Sequence, residues 1–284
     1  MSASLADDMV LRPGAAYGAT DALPTQEQPP AIVVQAPEPR FVAPTRRDRI
    51  GRIWAPVLID GKGPYRLVLD TGANRSAITA RTAQTLGAPT LQQASRVVTG
   101  FTGAAAVPFV HVNRLEVGDI LIGPADIPVL EDVFGDAEGV LGSEGLADKR
   151  IYADFTRDQL EISRSHAERA GRGLAVVPLR LIQGGLLVAD VRVGSVRAKA
   201  IIDTGAQGSV GNLVLRNALT RHRPFDAERE EIVGISLDVQ GGESFSAPDI
   251  DFGQLSIRGL RITFGDMYMF QHWKLTDEPT LALG

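Results

Sequence analysis

Residues 67–73 read LVLDTGA, and residues 200–206 read AIIDTGA. Each copy places an Asp-Thr-Gly-Ala loop directly after an apolar run, which is typical of a buried strand that ends in a turn. The two aspartates, Asp70 and Asp203, lie 133 positions apart, since 203 − 70 is 133. The local structure that holds such a loop must therefore occur twice in this chain.

The surroundings of the two loops match at the same spacing, which indicates an internal duplication. Thr and Asn are both favoured helix N-caps, and the helix-like stretches ARTAQTL and LVLRNAL follow them. Each copy therefore predicts strand, turn, strand, Asp-Thr-Gly-Ala loop and short helix. The residues that a shift of 133 brings together are Gly61 with Gly194, Arg66 with Lys199, Ser76 with Ser209, Thr79 with Asn212, and Leu86 with Leu219.

The remainder of each half also reads as strands, so we predict a mostly β protein. Glycine-containing, strand-like stretches follow each loop, at residues 96–110 and 231–247. The first contains a candidate flap at a hairpin tip, formed by Gly100, Phe101, Thr102 and Gly103, where glycines permit motion and Phe101 would cover a substrate. The second contains Gly241-Gly242 and offers a second flap.

Three segments are expected along the chain. Residues 1–44 are rich in proline and should be largely irregular, residues 45–170 form the first half, and residues 171–284 form the second. The basic stretch 45–52 is either a solvated linker or part of a pro-segment. Since the second half stops without a counterpart of the strands predicted at 151–162, we favour a chain truncated at its end.

Composition excludes several classes of function. A net charge of −5 argues against a nucleic-acid binder, and no apolar run of about 18 residues indicates a membrane span. The absence of cysteine excludes disulfides, thiolate catalysis and Cys-ligated zinc, and the four histidines lack metal-ligand spacing. We therefore expect no metal.

The basic residues are mostly arginine, which suggests a bacterial source. We expect the protein in the periplasm or cell envelope, with the signal peptide absent from this chain.

Two aspartates in matched loops could form an interacting carboxyl pair suited to acid–base catalysis. Two carboxyls held a few ångströms apart cannot both ionise, so they share a proton and titrate separately. The ionised member can then activate a water while the protonated member polarises a carbonyl oxygen. The neighbours suit this task as loop supports, because hydroxyls can fix the loops, glycines allow tight turns and alanines leave space. These supports are Thr71, Gly72, Ala73, Ser76, Thr204, Gly205, Ala206 and Ser209.

The apolar-Asp-Thr-Gly-Ala loop, the flap-like stretch and the later apolar-Gly motifs GVLG (139–142) and LALG (281–284) together resemble the pepsin and retropepsin aspartic proteases. Alanine after the glycine is similar to the retroviral-type branch and its bacterial relatives, and two halves in one chain are similar to pepsin. The resemblance covers roughly residues 50–284. It departs at Asn74 and Gln207, where retroviral enzymes carry an acidic residue, and in the first flap, which lacks a tyrosine.

The resemblance implies a bilobal, pepsin/retropepsin-like fold of two duplicated β lobes with short helices and an active-site cleft between them. It implies a catalytic pair of Asp70 and Asp203, peptide-bond hydrolysis without a cofactor, and a polypeptide substrate bound in extended form. One chain would suffice as a monomer, although a dimer is also compatible. The rival functions are a catalytically inactive peptide-binding module on the same fold and a precursor that its first 50 residues inhibit.

Overall fold

Strands dominate the regular structure, which confirms the predicted mostly β class, and the described part adds only three short helices. The structure, a computed structural model, describes residues 40–44 (backbone only), 51–88, 95–118, 120–132, 135–146, 149–157, 159–166, 169–182, 185–221 and 224–284. All of them belong to one unit, Glu38–Gly284. The proline-rich residues 1–39 and the basic residues 45–50 lie outside the described residues. No described helix has the length and apolarity to cross a bilayer.

The first half of the chain contains thirteen described strands and one α-helix. Helix α1 spans Ala80–Leu86 and begins at the predicted cap Thr79, whose hydroxyl accepts a hydrogen bond from the Thr82 N–H. The strands are β1 (Arg40–Pro44), β2 (Trp54–Ile59), β3 (Lys62–Leu69), β4 (Ala77–Thr79), β5 (Arg96–Thr99), β6 (Ala104–Val107), β7 (Phe109–Val112), β8 (Leu115–Val117), β9 (Ile120–Ile122), β10 (Ala125–Leu130), β11 (Gly139–Leu141), β12 (Lys149–Asp154) and β13 (Gln159–Arg164).

The second half contains ten described strands and two α-helices. Helix α2 (Leu213–Thr220) begins at the predicted cap Asn212, while α3 (Tyr268–His272) was not predicted, because five residues carry too little periodicity to detect. The strands are β14 (Arg180–Ile182), β15 (Leu186–Val193), β16 (Val196–Ile202), β17 (Ser209–Gly211), β18 (Glu228–Val233), β19 (Val239–Ser246), β20 (Ile250–Asp251), β21 (Ser256–Ile257), β22 (Arg261–Phe264) and β23 (Thr280–Leu283).

Two large sheets use the same pairing scheme around their central strands. In the first sheet, of order β7-β10-β4-β11-β3-β2-β8-β9, β11 runs parallel to β3 and antiparallel to β4, and β10 runs parallel to β4. In the second, of order β18-β19-β22-β17-β23-β16-β15-β20-β21, β23 runs parallel to β16 and antiparallel to β17, and β22 runs parallel to β17. The two strands that precede the Asp-Thr-Gly-Ala loops, β3 and β16, therefore occupy equivalent central positions.

Central position explains the sequence of these strands. Because β3 has a neighbour on each side and both faces are covered, Leu67, Val68 and Leu69 are all buried. The ladder continues one step further, where the Asp70 N–H donates to the Leu141 carbonyl at 3.0 Å. In the second sheet the Asp203 N–H donates to the Leu283 carbonyl at 2.9 Å. Each aspartate is thus fixed by its backbone at the end of a buried strand.

The end of the proline-rich segment forms the strand β1. Its residues Arg40–Pro44 pair antiparallel with β13, which also pairs with β12, so that three strands form a separate sheet. Pairing with β13 gives this backbone the hydrogen-bond partners that local sequence does not supply. The strands β12 and β13 themselves fulfil the prediction of two strands in this stretch.

The buried central strand should be sensitive to loss of volume. Leu67 is fully buried in the core of the first sheet, whereas Leu121 is 68% exposed. We expect Leu67→Ala to lower the free energy of unfolding by about 2–5 kcal/mol because it removes buried methyl groups and leaves a cavity. The matched change Leu121→Ala should cost less than about 1 kcal/mol. Urea unfolding of both variants tests this, and equal costs would contradict the assigned core.

Candidate active site

The two Asp-Thr-Gly-Ala loops hold their aspartates in the same way. One carboxylate oxygen of Asp70, Oδ1, accepts hydrogen bonds from the N–H groups of Gly72 at 2.8 Å and Ala73 at 2.9 Å. In the other loop, Oδ1 of Asp203 accepts from the two equivalent N–H groups at 3.0 and 3.1 Å. Each side chain is therefore fixed by its own loop, and its second oxygen remains available to another group.

The two loops are joined by a crossed set of threonine hydrogen bonds. The Thr71 hydroxyl donates to the Ile202 carbonyl at 2.7 Å and accepts from the Thr204 N–H at 3.1 Å. Reciprocally, the Thr204 hydroxyl donates to the Leu69 carbonyl at 2.7 Å and accepts from the Thr71 N–H at 3.2 Å. Each threonine thus binds the backbone of the other half of the chain, and the pair aligns the two aspartates.

The aspartates lie in contact, and the glycines make this contact possible. The side chains of Asp70 and Asp203 are within hydrogen-bonding reach of one another. A Cβ added at Gly72 would lie 2.6 Å from Cγ of Asp203, and one added at Gly205 would lie 2.2 Å from Cγ of Asp70. Any side chain at either glycine would therefore separate the carboxyls.

The predicted serines connect each loop to the following apolar-Gly motif. The Ser76 hydroxyl accepts from the Gly142 N–H at 3.0 Å, and the Ser209 hydroxyl accepts from the Gly284 N–H at 3.2 Å. Both serines are buried. The glycines of GVLG and LALG therefore lie directly behind the loops, which explains why these motifs recur after each Asp-Thr-Gly-Ala.

Burial raises the pKa of both aspartates, because it disfavours the charged carboxylates. For Asp203, which is only 8% exposed, the charge of Asp70 adds to burial and brings the pKa to about 7. The pKa of Asp70 is also raised, against the opposing effects of the hydrogen bonds from the Gly72 and Ala73 N–H groups and from Asp203 and, least of all, the charge of Arg52. The pair therefore retains one proton near neutral pH, and the environment favours that proton on Asp203.

Arg52 was missed by the sequence reasoning, which assigned it to a basic linker or pro-segment. It is instead buried, and its charge acts on Asp70. The only available signal was its position next to the buried residues Ile53 and Trp54, at the start of the first sheet. Buried arginines are rare unless their charge is compensated, and the charge of Arg52 contributes in a small way to lowering the pKa of Asp70.

The first predicted flap is a hairpin of β5 and β6 with Gly100–Gly103 at its tip. A second hairpin, of β18 and β19, turns at residues 234–238. This second hairpin includes the glycine-containing stretch expected to offer a second flap, and Gly241 and Gly242 lie within its strand β19. The turn itself falls at residues 234–238, because strand register and not a pair of glycines sets its position.

The two hairpin tips touch, and each inserts an apolar side chain into the opposite half. Phe101 of the first tip packs edge-on against Phe270 and Trp273, at ring-centroid distances of 5.8 and 6.1 Å. Its carbonyl accepts from the Met269 N–H at 3.1 Å. In the other direction, Ile235 of the second tip packs into the apolar cluster that includes Ala73 of the first loop.

Two hydroxyls at these tips are buried without a partner in the described part of the chain. They are Oγ1 of Thr102 and Oγ of Ser236, one from each hairpin. A buried hydroxyl without a hydrogen bond is unfavourable, so a polar partner at either position would stabilise the structure. As for metals, no cluster of three potential ligand side chains occurs among the described residues.

The crossed threonines should contribute to stability. Thr71→Val keeps the shape of the side chain but removes the hydroxyl, which leaves the Thr204 N–H without its acceptor. We expect the free energy of unfolding to fall by about 1–3 kcal/mol. Thr85→Val, which removes an exposed hydroxyl bonded to the Arg81 carbonyl, should change it by less than about 0.5 kcal/mol. If urea unfolding gives the same value for both variants, the crossed bonds are not what joins the loops.

The raised pKa of Asp203 makes stability depend on pH. In the unfolded chain this carboxyl loses its proton near pH 3.8, but in the folded chain only near pH 7. Between these values the folded state holds more protons, so its free energy of unfolding should fall as the pH rises. Asp203→Asn should flatten this decline, whereas the exposed control Asp266→Asn should not. Urea titrations across the window measure it, and an unchanged slope in Asp203→Asn would contradict the shared proton.

Comparisons with known proteins find similarity to aspartic proteases in part of the chain. No curated protein sequence matches the chain. A retropepsin-like aspartic protease from Rickettsia conorii, known from a crystal structure, aligns with 46% of this chain and 97% of its own, at 20% identity and a TM-score of 0.33. Residues 55–144, which contain Asp70 and extend from β2 beyond GVLG, match the family model of the aspartyl proteases.

Proposed function

We propose that the protein is an aspartic endopeptidase in which Asp70 and Asp203 activate one water between two duplicated β lobes. The observation that carries this proposal is the contact of the two carboxyls, each held by its own loop and aligned by the crossed threonines Thr71 and Thr204. The aspartyl protease match over residues 55–144 supports it. The equal pairing schemes of the two sheets support the duplicated, bilobal interpretation, in which one chain supplies both carboxyls.

The pKa values suggest a role for each aspartate. Asp70, next to the charge of Arg52, is the ionised member and takes a proton from the water. Asp203, with a pKa of about 7, is the protonated member and donates to the carbonyl oxygen as the hydroxide attacks. Asp70 then passes its new proton to the leaving nitrogen, Asp203 recovers a proton from the diol, and the C–N bond breaks. The pair returns to its starting protonation without a cofactor.

The two hairpins suggest how a peptide would bind. In the closed arrangement Phe101 and Ile235 bridge the halves, so the tips have to separate before a peptide can reach the carboxyls. An extended peptide can pair its backbone with the hairpin strands. Its amides would also give Thr102 and Ser236 the hydrogen-bond partners that they lack in the described part of the chain.

Replacement of either aspartate tests the proposed mechanism. We expect Asp70→Asn and Asp203→Asn each to lower kcat/KM for a peptide library at least about a hundredfold, because each removes one member of the acid–base pair. Wild-type activity should decline as the pH rises through about 7, where Asp203 loses its proton. Asp266→Asn, outside the pair, should retain activity. Turnover that persists in both single variants would refute the mechanism.

A binding measurement on the same variants separates the rival functions. A peptide-binding module without catalysis would bind peptides in the wild type and in Asp70→Asn alike, and would cleave none. A precursor inhibited by its first 50 residues would become active only after their removal. Binding by fluorescence anisotropy, before and after removal of these residues, distinguishes the three cases.

A further inference from the structure

A cleft of about 1110 Å³ lies beside the first Asp-Thr-Gly-Ala loop. Its wall includes Thr71 and Asn74 of that loop, and from the second half Gly185 and Leu187. Neither Asp70 nor Asp203 lines the cleft, but Thr71, the residue after Asp70, does, and its hydroxyl binds the carbonyl of Ile202, the residue before Asp203. Under the proposed function, it is where residues on one side of a scissile bond would lie.

The cleft wall carries one more positive than negative charge. Arg96 is neutralised by Asp126, since the guanidinium and the carboxylate are 2.7 Å apart. Two further cations of the wall, Arg75 and Lys149, form no ion pair with any described residue. The remaining acid of the wall is Glu144.

One oxygen of Glu144, Oε1, accepts the Ser76 N–H at 2.6 Å, which ties this carboxylate to the loop. In all, the wall carries three cations, Arg75, Arg96 and Lys149, and two anions, Asp126 and Glu144. Arg75 is exposed and Lys149 is half-buried, so both heads are accessible to a ligand. A guanidinium forms bidentate hydrogen bonds with a carboxylate, and an ammonium adds a further charge-assisted bond.

The opposite half does not repeat the charge of Arg75. The 133-residue shift places Gly208 where the first half has Arg75, since 75 + 133 is 208. Gly208 has no side chain and meets no atom within 4 Å of an added Cβ, so this position in the second half is open and uncharged. The duplicated site is thus electrostatically asymmetric, although its carboxyl pair is symmetric.

We propose that this cleft binds an acidic side chain of the substrate, so that the enzyme prefers Asp or Glu on one side of the scissile bond and not on the other. Arg75 and Lys149 are the specificity-determining residues that would hold the carboxylate. This inference rests on the proposed endopeptidase function and names its substrate class.

The test compares matched peptides that differ only in an acidic residue or its amide, Glu against Gln, at each position around the cleaved bond. We expect the wild type to favour the Glu peptide about five- to tenfold in kcat/KM, at positions on one side only. Arg75→Gln should reduce this ratio to about one to two, chiefly through KM, while Arg75→Lys should retain part of it. Raising the salt concentration should also reduce the ratio.

Arg258→Gln is the matched control, because Arg258 is an exposed arginine of the second sheet that is paired with Asp249 and lies outside the cleft wall. It removes the same charge and should leave the Glu-to-Gln ratio unchanged. A ratio of one in the wild type, or equal preference on both sides of the bond, would overturn the proposed acidic site while leaving the endopeptidase function intact.

A second measurement keeps the two proposals distinguishable when no peptide is cleaved. Binding of the Glu and Gln peptides to Asp70→Asn, followed by fluorescence anisotropy, reports on the cleft without catalysis. Tighter binding of the Glu peptide, lost in the double variant with Arg75→Gln, supports the acidic site even if the endopeptidase function fails. Equal affinity for both peptides overturns it.

Discussion

The crossed hydrogen bonds of Thr71 and Thr204 are the constraint on which the site depends. Each hydroxyl binds the carbonyl that precedes the opposite aspartate, at Ile202 and at Leu69, and each N–H binds the opposite hydroxyl. Four short contacts therefore fix the ends of β3 and β16 against each other. Since both strands are central in their sheets, the position of either aspartate is determined by a whole sheet and not by its loop alone.

This arrangement also explains the protonation of the pair. The loops bring two carboxyls into contact in a largely buried place, where two negative charges together are unfavourable. A pKa of about 7 at Asp203 is the result. The loop N–H groups lower the pKa of both carboxyls, and the charge of Arg52 lowers that of Asp70 by a smaller amount. The backbone is nearly symmetric about the pair, and Arg52 adds a small difference between its two members.

The hairpins show a similar combination of symmetry and difference. Each tip reaches into the opposite half, but one uses Phe101 against the aromatic rings near α3 and the other uses Ile235 against the first loop. Opening the hairpins exposes both apolar contacts to water. A bound peptide would offset that cost by replacing the contacts, which connects substrate binding to the positions of the tips.

The sequence by itself determined the local elements. Apolar runs predicted the central strands, capping residues placed α1 and α2, and the repeat of Asp-Thr-Gly-Ala identified Asp70 and Asp203, because strand burial, caps and tight turns depend on near neighbours. Only the tertiary structure decided the contact of the carboxyls, the burial of Arg52, the turn of the second hairpin and the unpaired charge of Arg75. The contact of the carboxyls depends on packing between loops 133 positions apart. The other features depend on strand register and on which side chains pack together, which no local pattern encodes.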